Sequence, residues 1–95
     1  MIRSFADSET ACVAKFGRSR KLPPTIQNVA ARKLLQLDSI MHLHELREPR
    51  GNRLEQLKTF APLRYSIRIN DQWRITFNWS NGGAENVRIE DYHRG

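Results

Sequence analysis

The 95 residues, with 16 Lys and Arg against 10 Asp and Glu and a net charge of +6, allow one small core over residues 1–95 and no second domain. Cys12 stands alone, which excludes an internal disulfide, and no apolar run is long enough for a membrane span or a secretory leader, so a cytoplasmic protein without a membrane partner is expected. Twelve of the 16 cations are arginine, whose planar fork binds phosphate in pairs of hydrogen bonds, so the composition favours nucleic acid or an acidic protein as partner.

"IRSF" near the start has the look of a short strand. Asp7 then suits a helix N-cap, with Glu9 in the first turn and Gly17 as the stop. Between them Cys12, Val13 and Phe16 fall on one helical face. "GRSRKL" is a basic connector. Pro23 and Pro24 suit the start of a second helix, because a first-turn residue needs no backbone N–H. Ile26, Val29, Ala30, Leu34 and Leu37 recur at helical spacing up to about Asp38, with Gln27, Asn28, Arg32 and Gln36 on the wet side. "HLHELR" adds a further turn, and "EPRGN" is a loop.

The period then changes. "RLEQLK" alternates weakly, as a short strand or an extended edge. "YSIRIN" puts Tyr65, Ile67 and Ile69 on one face, and "WRITFNWS" does the same with Trp73, Ile75, Phe77 and Trp79. Only Asp71 and Gln72 separate these runs, which predicts an antiparallel hairpin. "NGG" at Asn81–Gly83 is the strongest turn signal, leading into "AENVRIEDYH" as the last strand. The expectation is an α+β fold, two N-terminal helices packed on one face of a small antiparallel sheet.

The other sheet face carries Arg68, Asn70, Arg74, Thr76, Asn78 and Arg88, a polar and basic surface open to a partner. Lys58 and the terminal Tyr92–His93 pair border it. Strict alternation places His93 with Val87 and Ile89 but Tyr92 with Arg88, so both reach one site only if the strand ends or kinks near Glu90–Asp91. His42 and His44 in "HLH" should point to different faces of a helix. With Cys12 and His93 they have no zinc-ligand spacing, no phosphate loop is present, and no metal or cofactor is expected. His93 suits proton transfer near neutral pH, and Arg74 and Lys58 suit a phosphate gaining charge. Tyr92 suits stacking or proton transfer. These parts suffice for RNA cleavage in which the ribose 2′-OH attacks its own phosphate.

"RKLLQLDS", "PRGNRLEQLK", "YSIRINDQWRITFNW" and "VRIEDYH", in that order, resemble the HigB branch of the RelE-type toxins of type II toxin–antitoxin loci. The resemblance runs from "MIRSF" to His93 and is strongest in the paired strands and the closing "DYH". It implies helices on an antiparallel sheet and a ribosome-associated mRNA interferase that needs no metal. It implies an active site of Tyr92, His93, Asp91, Lys58 and Arg74; Arg68, Asn70 and Arg88, on the polar sheet face read above, are then the expected RNA-binding residues. It also implies a helix-turn-helix, HigA-type antitoxin that neutralises the toxin, with operator DNA engaged through the complex.

Two stretches depart from the family pattern. Some relatives place a histidine three residues before the lysine of "LK", where this chain has Glu55. "LKTFAPLRYSIR" replaces a glycine-containing turn, and Thr59, Phe60 and Pro62 make this one stiffer and more apolar up to Arg64. Two other functions fit such a scaffold: a non-catalytic, ParE-like inhibitor of DNA gyrase, or a basic RNA-binding or antitoxin-partner module. The terminal "DYH" favours cleavage over both.

Overall fold

The computed structural model describes residues 1–59 and 61–91. Helix α1 spans Ser8–Phe16 and α2 spans Pro24–Ser39; strands β1 (Glu55–Leu57), β2 (Arg64–Arg68), β3 (Trp73–Ser80) and β4 (Gly83–Asp91) follow. The strands pair antiparallel in the order β1-β2-β3-β4, and the helices pack on β3 and β4. This is the α+β arrangement of two helices against one antiparallel sheet. Among the described residues no helix is long and apolar enough to cross a membrane.

Local chemistry sets the helix ends. The Asp7 carboxylate accepts from the Thr10 N–H at 2.7 Å, and Gly17 closes α1 in the left-handed region at φ 79°, where a side chain is strained. Pro24 opens α2. The expected face of α1 is corrected by one residue: Thr10 and Val13 are buried, whereas Phe16 remains 66% exposed. In α2, Ile26, Ala30, Leu34 and Leu37 enter the core as their spacing predicts, where they meet Ile67, Ile75, Phe77, Val87 and Ile89.

Lys33 is the exception, a lysine only 8% exposed. Its Nζ donates to Asn52 Oδ1 at 2.6 Å. Asn52, fully buried at the end of a 3-10 turn over Arg50–Asn52, donates in turn to the carbonyls of Leu46 and Glu48 and to Gln36 Oε1, each at 3.1 Å. The Asn52 amide thereby ties the loop between α2 and β1 to the helix, together with Gln36 Nε2, which donates to the Glu48 carbonyl at 2.8 Å. Burial, with the neighbouring Arg32 and Arg68 charges, holds the Lys33 ammonium below its ordinary value. A lysine lowered on folding costs stability while charged, and the cost is relieved as pH rises toward the unfolded value of about 10.4. Relative to Lys33→Met, the wild type is therefore expected to gain stability between pH 8 and pH 10, read from urea melts at each pH. A difference constant across that window would contradict the assignment.

The turns account for the remaining departures from the expected elements. The β2–β3 connection is Ile69–Gln72 rather than two residues. Asn70 Oδ1 accepts from the N–H groups of Gln72 and Trp73 at 2.9 and 2.8 Å, an Asx turn that ends β2 early. Asn81 and Gly82, at φ 50° and 75°, form the tight β3–β4 turn that "NGG" predicts. Asn86, at φ 52°, is a bulge: the register shifts by one residue between Thr76 and Asn78. That shift lets Ala84 face the core with Val87 and Ile89, which strict alternation forbids.

"IRSF" makes single parallel bridges to β4, Ile2 with Ala84 and Phe5 with Val87, rather than a strand. "HLHELR" forms a 3-10 turn over Leu43–Arg47. His42 caps that turn instead of lying within a helix, so the two histidine rings stack with centroids 5.6 Å apart. They do not point to different faces.

Candidate active site

The face of the sheet turned away from the helices is ordered by register. Arg68 lies opposite Arg74, which lies opposite Glu90, one row across β2, β3 and β4. The next row inward is Ser66, Thr76 and Arg88, and beyond it Arg64 pairs with Asn78. Two arginines and a carboxylate thus face one another at the end where β4 finishes.

This surface is less open than its alternation suggests. Thr76 is buried at 4% exposure, and Asn78 is half-buried. The organising residue is Arg64. It donates to Asn78 Oδ1 at 2.9 Å, to Thr76 Oγ1 at 2.8 Å and to the Asn86 carbonyl at 3.0 Å. Thr76 Oγ1 donates in turn to the Glu90 carboxylate, and Asn78 Nδ2 donates to the Leu63 carbonyl at 2.9 Å. Burial draws the Arg64 guanidinium below its ordinary value; Glu90 opposes this and Arg88 adds to it. Arg64 is a missed residue in sequence reasoning, because its place at the head of β2 looks like loop. The signal was its alternation with Ser66 and Arg68.

The arginines of the end row are held from below. Arg74 Nη1 donates to the Trp73 carbonyl at 3.1 Å and also to that of Asn70. Arg68 pairs with Asp71, whose carboxylate is almost fully exposed. An exposed ion pair of this kind is screened and weak, so a phosphate can displace Asp71. Arg88 lies 3.5 Å from the Asp7 carboxylate.

Not all the sequence candidates converge. Asp91 pairs with Trp73 across the ladder, one residue out of phase with Arg74, so it faces away from the arginine row. Its Oδ2 accepts from Gln72 Nε2 at 2.9 Å. The carboxylate that shares a face with Arg74 is Glu90, which the sequence reading passed over in favour of its neighbour. Lys58 is exposed in the turn after β1. Because Leu57 sits opposite Arg64, Lys58 lies at the Arg64 end of the face, about four residues, or roughly 13 Å, along the strands from the Arg74 row. Glu55 is exposed opposite Ser66, and Asn70 serves the turn. β4 is strand as far as Asp91; Tyr92 and His93 lie outside the described residues.

The chain matches the RelE-like toxin of type II toxin–antitoxin system HigB over residues 3–93. It belongs to the HigB-like toxin family. It is similar to Toxin HigB-1 of Vibrio cholerae, with 39% identity over 79% of each chain, and to an uncharacterized protein of Haemophilus influenzae, with 32% identity over 76% of this chain and 71% of the relative. A HigB-like toxin is one half of a toxin–antitoxin pair, so an antitoxin partner follows from the family. The two N-terminal helices, the four-stranded meander and its arginine row are this chain's version of the toxin scaffold.

Proposed function

We propose that the toxin is a metal-independent mRNA endoribonuclease that acts in the cytoplasm on messages held by the ribosome and so stops translation. The observation that supports this reading is that the family match extends to residue 93 and so spans the "DYH" that the resemblance makes part of the active site. His93 moves the proton in the attack of the ribose 2′-oxygen on the adjoining phosphorus. The P–O bond to the 5′-oxygen breaks, leaving a 2′,3′-cyclic phosphate and a 5′-hydroxyl. Arg74 meets the charge that grows on the phosphoryl oxygens, aided by Arg68 across the row. Tyr92 orients the base or assists proton transfer, and Asp91 positions its neighbours from the other face of the strand. Lys58, at the far end of the face, holds a different phosphate of the same strand, and Asn70 and Arg88 border the path. A helix-turn-helix antitoxin of HigA type neutralises the toxin, and operator DNA is met only through that complex.

The test is inducible expression of the wild type beside His93→Ala, with mRNA 5′ ends mapped after induction. Growth arrest with new cuts inside translated messages, both absent in the variant, is the expected result. Full cutting by His93→Ala would remove that residue from the mechanism. Arrest without cuts would overturn the nuclease reading itself.

A further inference from the structure

Much of this toxin's positive charge lies away from the arginine face of the sheet. Residues 10–37 hold six cations and no carboxylate, whereas the rest of the chain is balanced at ten against ten. With Glu9 and Asp38 at its two ends, the α1–α2 unit over residues 8–39 carries a net +4 of the chain's +6. Five of those six cations are exposed, Lys33 alone being buried. The charge has a groove beneath it: a cavity of about 840 Å³ lies between the C-terminus of α1 and the N-terminus of α2, with Phe16, Leu22 and Pro24 among its apolar lining and Arg18 and Arg20 at its rim.

The connector is built rather than slack. Gln27 Nε2 donates to the carbonyls of Ser19 and Leu22 at 2.6 and 2.7 Å, and Gln27 Oε1 accepts from the Ser19 N–H at 3.3 Å. Ser19 is 7% exposed. Burying it turns the residues on either side, Arg18 and Arg20, outward, and among the described residues neither guanidinium has a hydrogen bond or ion pair. Phe16 lies beside them, with Lys15 Nζ 5.4 Å from its ring centroid. An exposed aromatic ring next to unpaired arginines is the combination that holds single-stranded nucleic acid, by stacking one base and neutralising adjoining phosphates. An acidic peptide would be served by the charges but has no use for the ring.

The position also fits. α2 ends beside the start of β4, since the Ile2 N–H donates to Asp38 Oδ1 at 2.8 Å and Ile2 bridges Ala84. At 16 residues, α2 is about 24 Å long, which carries its N-terminus and the connector well away from the start of β4. We propose that the α1–α2 connector is a second RNA site, in which Phe16 stacks an unpaired base while Arg18 and Arg20 bind neighbouring phosphates. The inference rests on RNA as the toxin's substrate but not on any cut being made.

The test uses a fluorescent 2′-O-methyl oligonucleotide, which lacks the attacking hydroxyl, with affinity followed by anisotropy across salt concentrations. For Arg18→Ala/Arg20→Ala the slope of log affinity against log salt is expected to fall by about 1.4, two phosphates at about 0.7 each, with affinity about tenfold weaker at 0.15 M salt. Phe16→Ala is expected to lose roughly tenfold and Phe16→Trp to retain binding. Unchanged affinity and slope in the arginine variant would overturn the proposal. So would loss of binding to the co-expressed antitoxin with oligonucleotide binding intact, which would make the groove a protein-facing surface. A changed slope in a toxin that makes no cuts in cells would sustain this site while the nuclease reading fell.

Discussion

Asn52→Ala is expected to destabilise the toxin by about 4 kcal/mol, a large share of the 5–15 kcal/mol that holds a domain of this size together. The amide is fully buried and has four partners, one of them the Lys33 ammonium. Truncation leaves a charge without its partner inside the protein, which costs more than the hydrogen bond itself contributes. It also leaves the Leu46 carbonyl without the Asn52 donor. A shift of this size lowers the melting temperature of a 95-residue chain by more than about 15 °C. In urea the midpoint should fall with little change in slope. A loss under about 1 kcal/mol would mean that water replaces the amide, and that the Arg50–Asn52 turn is not what fixes this loop.

The second large effect is on activity. Arg74→Ala is expected to lower RNA cleavage about 10²- to 10³-fold, the usual cost of removing one preorganised donor from a growing charge. The fold should survive, because the Asn70 and Trp73 carbonyls to which Arg74 donates lie at the β2–β3 turn and not in the core. Arg74→Lys should recover only part of the rate, since an ammonium supplies charge without the fork. Rates from single-turnover cleavage, beside a melting curve for each variant, separate chemistry from folding. An Arg74→Ala toxin that cuts at the wild-type rate would remove the arginine row from the mechanism. Comparing Glu90→Gln with Asp91→Asn in the same assay asks which carboxylate the site uses, and the register favours Glu90.

Much of this architecture was legible because its signals are local. Helix spacing in Ile26–Leu37, the Asp7 cap and the Asn81–Gly82 turn each involve residues close in sequence, and each formed where expected. What escaped depends on partners far along the chain. Lys33 is buried only because Asn52 returns to it 19 residues later. Phe16 has apolar spacing but is the last residue of α1, where it lines the open groove toward α2 and stays out of the core. The bulge at Asn86 shifts the faces of β4, since one extra residue changes the parity of everything before it. For the site, the sequence marked the arginines of the sheet correctly as one surface. It could not show that Arg64 occupies the middle of that surface, nor that Asp91 turns away from Arg74.

The outer edge of β4 is closed along most of its length. The N-terminal segment takes its backbone groups at Ala84 and Val87, and the buried Thr10 hydroxyl accepts the Ile89 N–H at 2.9 Å. A bare strand edge is a template on which another copy can grow, and here the template is spoiled by a helix residue that is not part of the sheet. That leaves β1 as the other edge. It is three residues long, with Glu55 and Gln56 exposed on it, too short and too polar to seed a polymer. Among the described residues, neither edge of the sheet therefore offers a second copy of the chain a long run of free backbone groups.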